Sequence, residues 1–285
     1  MNIKTTLAGL LCLLLLNACS TSRIELDAST KNKCLAVLRA GLASDEFWPS
    51  IHAAEALTLA GHGAEVRRHL EPKLQTEMDD QHRCGLSREL IRAGDKAQCS
   101  VMFDILKGAD PHGHVHAAES LYKVGWVGDA TPVRAAFAQQ ENMRFRLMAA
   151  GALVKHERDA KALAFLRERM RAEPDPDMFR IVAWLLGRIG GKSDIELIRS
   201  RMNDAPDANA KAYLNNAMAA LGDAAGQAAL VGNLTSTDAG LRVYAAVFAG
   251  EAGMTSVKPQ LITLLNDETL DVRIRAAQSL LVLAR

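Results

Sequence analysis

An alanine-rich, helix-like segment that returns every 31–33 residues constrains this chain more than any other feature. Copies include IHAAEALTLAG (51–61), VHAAESLYKVG (115–125), RFRLMAAGALVKHE (144–157), FRIVAWLLGRIG (179–190), AKAYLNNAMAALG (210–222), LRVYAAVFAGEAG (241–253) and VRIRAAQSLLVLA (272–284). With a divergent copy at 82–94, the helix-ending position falls at Gly61, Gly94, Gly125, Glu157, Gly190, Gly222, Gly253 and Ala284, spaced 33, 31, 32, 33, 32, 31 and 31 residues apart. A fixed period of this size marks a repeat architecture. Each unit reads as an Ala-rich helix stopped at Gly, which tolerates the left-handed conformation of a helix end. A short turn follows, often with Asp (Asp95, Asp129, Asp159, Asp194, Asp223), and then a second amphipathic helix such as the one carrying Val66, Leu70 and Leu74. Paired alanines (Ala53-Ala54, Ala117-Ala118, Ala149-Ala150, Ala245-Ala246, Ala276-Ala277) let neighbouring helices approach closely. One such hairpin cannot bury its apolar faces alone, whereas a stack can. The expectation is an all-α, right-handed solenoid of about eight two-helix repeats over 30–285. Within it, Ala246 should be buried and Arg242 exposed.

Asp271-Val272-Arg273 followed by Ala276-Ala277, and Leu241-Arg242 before Ala245-Ala246, resemble the unit start of HEAT-like repeats of the type found in phycobilin-lyase-related proteins. The resemblance covers roughly residues 45–285. It implies the fold and is nearly silent on function, because one solenoid serves many partners. The middle copies lack the Asp-x-Val-Arg start, so pigment-lyase chemistry is not implied.

Residues 1–18 have the layout of a secretory signal: Lys4, an apolar run Leu7–Leu16 too short to span a bilayer, and a small residue at Ala18. Leu16-Asn17-Ala18-Cys19 resembles the lipobox of bacterial lipoproteins, although Asn17 stands where a smaller residue is commoner. The resemblance implies acylation of the Cys19 thiol and cleavage before it, and several acyl chains give a stable membrane anchor. The alternative is an ordinary cleaved signal that leaves Cys19 a free thiol. Ser20, where an Asp would imply inner-membrane retention, implies the periplasmic side of the outer membrane. Residues 19–29 read as the lipidated Cys and a tether, reaching at most roughly 35 Å.

Losing Lys4 with the signal leaves 33 basic and 33 acidic residues, which argues against nucleic acid as a partner. Cys34, Cys84 and Cys99 remain beside Cys19. An oxidising compartment permits a disulfide, and Cys84 and Cys99 lie within one predicted hairpin; the alternative is three small buried hydrophobes.

His52-Ala-Ala-Glu55 and His116-Ala-Ala-Glu119 repeat one pattern 64 residues apart, each placing His and Glu on one helix face. With His112 and His114 nearby, His112, His114, His116 and Glu119 form a conceivable metal set; the plainer reading is helix-opening histidines and solvated glutamates. No triad order, phosphate loop or dinucleotide fingerprint is present, so neither an enzyme nor a cofactor is expected. The second helix of each unit is expected to line the concave face and offer Arg67, Arg68, Arg134, Arg167, Arg199 and Arg201 to carboxylate groups of a protein partner, unless they belong to a solvated mixed face. Val272–Ala284 reads as the first helix of a unit whose second is missing, so Leu280 and Leu283 should form an apolar patch at the C-terminal end that docks on a partner or a second copy, unless the last turn frays or the membrane surface covers it. The functional expectation is a membrane-anchored protein-interaction scaffold. Alternatives are an inhibitor or immunity-type binder of a secreted toxin or hydrolase, and a metal-binding or enzymatic protein that uses the His/Glu pairs.

Overall fold

The computed structural model describes residues 23–125 and 128–285; the signal segment, the lipobox and Cys19 lie outside them. Among the described residues the regular structure is helical throughout. The chain runs α1 (Ala28–Leu42), α2 (Phe47–Leu59), α3 (Gly63–Thr76), α4 (Asp80–Arg92), α5 (Cys99–Lys107) and α6 (His114–Val124). It continues through α7 (Thr131–Ala138), α8 (Met143–Glu157), α9 (Ala160–Ala172), α10 (Pro176–Ile189) and α11 (Ile195–Arg199). The last five helices are α12 (Ala208–Ala220), α13 (Ala224–Asn233), α14 (Ala239–Glu251), α15 (Lys258–Leu264) and α16 (Leu270–Leu283). None of these is long and apolar enough to cross a membrane.

The turn aspartates act as expected. Asp159 and Asp223 cap α9 and α13 by accepting backbone N–H bonds, and Asp95 and Asp129 accept from Ala97 N and Thr131 N. Most of the expected helix stops are left-handed, as at Gly94 (φ +107°), while Arg158 (φ +54°) takes that conformation after α8. Gly190 is different: it is not left-handed, and a Cβ there would lie 2.6 Å from both the Asp194 carboxylate and the Leu186 carbonyl. Glycine is needed at this stop for room, not for φ.

Even-numbered helices form an inner layer and odd-numbered helices cover it. Successive inner helices pack directly on one another, from α2 to α16. The paired alanines all lie at these contacts with no exposure, Ala246 included. Backbones approach so closely that a Cβ on Gly187 of α10 would sit 2.8 Å from Ala217 Cα of α12.

The solenoid closes on itself. α16 packs against both α1 and α2, and one apolar cluster joins residues from both ends of the chain, among them Leu38, Leu57, Ile274 and Leu280. α1 therefore stands as the outer helix beside α16, giving eight inner and eight outer helices among the described residues. This corrects the expected docking patch: Leu280 and Leu283 are 0 % and 5 % exposed, covered within the ring seam. It also shortens the expected tether, because Ile24 is buried and its N–H bonds the Leu283 carbonyl at 3.0 Å. Arg242 is likewise buried, held bidentately by Asp267 (2.7 and 2.9 Å) and by the Ser236 and Thr237 carbonyls.

Candidate functional site: the central cavity

Closure leaves a central cavity of about 1090 Å³ lined by the inner helices alone. The same repeat positions supply its wall from helix to helix. Residues two, six, nine and thirteen before the helix-ending positions supply most of the lining, a spacing that draws one stripe along a helix. The innermost stripe is not apolar. Arg88, Arg92, Lys123, Arg144, Lys155, Arg180, Arg188 and Arg275 face Glu55, Glu119, Asp238, Glu251 and Asp271, a surplus of three positive charges.

These groups are held in a network. Glu55 of α2 joins Arg92 of α4 (2.9 Å) to Arg275 of α16 (3.0 Å). Burial pushes the Glu55 carboxyl up, but Arg92 and Arg275 outweigh it and hold it well below the usual carboxylate range. Glu119 pairs with Lys123 at 2.6 Å; Lys123 and Arg88 overcome its burial and bring it down to about 2. Arg188 binds Glu251 at 2.7 Å and lies over the Trp184 ring, 4.4 Å from its centroid. His52 bonds Asp271 at 2.7 Å, and His116 stacks on Trp48 at 5.5 Å; burial lowers the pKa of both imidazoles. Taking so many ions out of water contributes little to stability compared with an apolar lining of equal volume.

One tier stands out. Two residues before the helix-ending position, four successive inner helices place Arg92, Lys123, Lys155 and Arg188, each in its last turn, where a cation also complements the helix dipole. The other described positions of that tier are Leu59, Ala220, Glu251 and Val282, so the cations form an arc on one side of the ring. Lys155 lies 4.6 Å from the centroid of the Tyr122 ring. Burial first, and then Arg92 and Arg188, lower its pKa.

The residues expected to bind a partner lie elsewhere. Arg67, Arg68, Arg134, Arg167, Arg199 and Arg201 belong to the outer layer and do not line the cavity. Most are staples between consecutive units. Arg134 binds Asp159 (3.0 Å) and Glu157, Arg167 binds Asp194 (2.7 Å), and Arg199 binds Asp223 (2.6 Å). Arg67 donates to the Ala93 carbonyl, and Arg201 donates to the Met170 and Glu173 carbonyls; Arg68 is exposed. Apart from Arg68, they spend donors on neighbouring helix ends. The Ala-rich first helix, not the second, takes the smaller inner radius because its small residues allow the tighter side-by-side packing there.

The candidate metal set does not converge. His112 bonds Asp79 (2.8 Å), His114 bonds the Gly108 carbonyl (3.0 Å), His116 stacks on Trp48 and Glu119 pairs with Lys123. Among the described residues no group of three or more His, Cys, Asp or Glu is arranged to hold a metal ion. Of the two readings of the cysteines, the structure has the buried hydrophobes: Cys34, Cys84 and Cys99 are free, buried thiols, and Cys84 Sγ points at the Gly113 carbonyl.

Sequence reasoning named His52, Glu55, His116 and Glu119 but treated the glutamates as solvated. The cation arc was missed, although its signal was present, since Arg92, Lys123, Lys155 and Arg188 occupy one repeat-equivalent position. No family model matches this chain, and no curated protein does. A crystal structure of an engineered protein aligns with 88% of this chain and 96% of its own, at 15% identity and a TM-score of 0.29, a likeness too loose to carry any argument.

Proposed function

We propose that this is a lipid-anchored binding protein of the bacterial envelope whose ring receives a polar segment of a partner protein in the central cavity. The observation that carries this reading is the cavity itself, walled by ionised and aromatic side chains from all eight inner helices. Its volume of about 1090 Å³ lies just above the roughly 300–1,000 Å³ of small-molecule pockets, which favours a stretch of polypeptide over a compact metabolite. The outer arginines other than Arg68 are engaged between units, so the cavity is the better-equipped surface for a ligand.

The resemblance to a lipobox at Cys19 supports the anchor and the placement at the periplasmic side of the outer membrane. Ile24 is fixed beside the last turn of α16, five residues beyond Cys19. At about 3.5 Å per extended residue, that rim of the ring stays within roughly 18 Å of the acylated cysteine. The opposite rim, with Trp48, Arg144, Asn209 and Gly240, is then the mouth presented to the periplasm.

Site-specific photocrosslinking in cells tests the reading. A benzophenone amino acid at Val243, in the cavity wall, should trap a partner, and the same group at exposed Arg68 should not. Adducts formed from Arg68 with none from Val243 would move the binding surface outside the ring.

A further inference from the structure

We propose that Lys155 and Tyr122 form a monoanion seat within the cavity, which takes a carboxylate of an acidic peptide segment held there. This rests on the cavity being the binding surface.

The argument begins with the arc. Arg92 has Glu55 and Glu89, Lys123 has Glu119, and Arg188 has Glu251. Among the described residues no carboxylate lies within ion-pair distance of Lys155, which meets only the face of Tyr122. It is nevertheless exposed to the cavity, so its ammonium is accessible to a ligand. The role of a cation in the last turn of a helix accounts for a lysine at this position of α8. It does not account for Tyr122.

The Tyr122 side chain is 1% exposed, lines the same cavity, and its buried hydroxyl has no hydrogen-bond partner. Buried hydroxyls nearly always find one, and the Lys155 ammonium stands over the face of the same ring, 4.6 Å from its centroid. A carboxylate fills both needs, with one oxygen accepting from the lysine ammonium and the other from the phenol. Charge matching favours a monoanion over a phosphate dianion, because the neighbouring cations are already neutralised and a single positive charge is left over. Arg144, which also lines the cavity and has no ion-pair partner among the described residues, extends the preference to an acidic segment. The Trp184 ring, 5.3 Å from Tyr122, gives the segment an apolar surface to lie against.

Isothermal titration calorimetry on the purified full-length protein tests the seat, with tetraglutamate as probe and tetraglutamine and inorganic phosphate as comparisons. Tetraglutamate should bind at least tenfold more weakly to Lys155→Met, within about threefold of wild type to Lys155→Arg, and several-fold more weakly to Tyr122→Phe. Melting curves check that Lys155→Met is folded. Equal binding of tetraglutamate to wild type and Lys155→Met would overturn the seat, as would tetraglutamine binding as tightly as tetraglutamate. So would failure of tetraglutamate to bind the wild type. Phosphate competing at the same site with higher affinity would identify a free-anion site and overturn the peptide assignment. Val243→Trp, which narrows the cavity, separates the two levels of the argument. If it blocks tetraglutamate while Lys155→Met does not, the seat falls and the cavity stands; if neither variant changes binding, both fall.

Discussion

His52 on α2 and Asp271 on α16, 219 residues apart in the chain, share a 2.7 Å hydrogen bond across the seam where the ring closes. One helical turn further along, Glu55 and Arg275 repeat the link between the same two helices at 3.0 Å. The first inner helix thus meets the last through two polar bonds laid over an apolar contact. The outer helix α1 lies over that contact, with Lys33 donating to Asn266 at 2.5 Å. Ring closure removes the exposed ends that an open solenoid must cap, and it fixes the cavity's shape by tying every inner helix to two neighbours.

The seam should be sensitive to acid. Burial and the nearby Arg275 lower the His52 pKa below its ordinary value of 6.5, despite the bond to Asp271. As pH falls through about 6.5 the unfolded chain takes up a proton that the folded seam resists, so stability declines from there until the depressed folded value is passed. Asp271 adds a later loss: His52 and Arg275 hold its carboxyl below 3.8 in spite of burial, and that contribution fades only at more acid pH. The melting temperature should therefore drop between pH 7 and pH 5, and His52→Gln should flatten this part of the profile. An unchanged slope in the variant would mean that other buried histidines, such as His116 and His156, carry the effect.

Gly41 of α1 tests the apolar side of the seam. A Cβ there would lie 2.6 Å from Ile274 Cδ1 of α16 and 3.0 Å from Ala53 Cβ of α2. Gly41→Val should overpack the closure and cost about 1–3 kcal/mol in chemical denaturation. Adding Ile274→Val should recover part of the loss, since the end of that side chain is the nearest obstacle. Additive losses in the double variant would show that the two side chains do not meet.

The repeat period, the helix stops, the turn aspartates and the buried alanine pairs were all legible in the sequence because each depends on residues close together in the chain. The closure was not. Val272–Ala284 read as an unfinished unit, yet residues 28–42 cover it as an outer helix, and their own sequence has no marker of that destination. The same gap produced the error about Leu280 and Leu283, while Arg242 was misjudged because Asp267, the carboxylate that buries it, lies 25 residues ahead. The choice of inner helix was wrong for a different reason. Arginine-rich second helices suggest a ligand surface until the aspartates that receive them, one unit ahead, are placed beside them.

Burial raises the thiol pKa to about 11 for Cys34, about 12 for Cys84 and about 11 for Cys99. Reactivity follows the thiolate, so native protein should be inert to a thiol-specific chromogenic reagent at pH 8 and should release colour only on unfolding. Intact mass after isolation from an oxidising compartment should show no loss of two hydrogens. A mass lower by two would restore the Cys84–Cys99 bridge.

Processing can be tested independently of the ring. Cys19→Ser removes the sulfur that the lipobox would present for acylation, so metabolic palmitate labelling should disappear and the protein should leave the membrane fraction. Undiminished label would dismiss the anchor while leaving the cavity reading intact.

The outer staples should matter to stability and not to ligand. Arg167 grips Asp194 through two bonds, Nε at 2.7 Å and Nη2 at 3.0 Å, while Asp194 also accepts the Gly191 N–H at 2.9 Å. Asp194 is almost fully buried, and Arg167, with the Gly191 N–H, holds its carboxyl below 3.8 against the effect of burial. Arg167→Met keeps the length of the side chain and removes both donors, leaving a buried carboxylate with one backbone bond; a loss of about 1–3 kcal/mol is expected. Tetraglutamate binding at the cavity should stay within experimental error of wild type, since Arg167 is in the outer layer. A variant that keeps its stability but loses the ligand would return recognition to the outer arginines, where the sequence had first pointed.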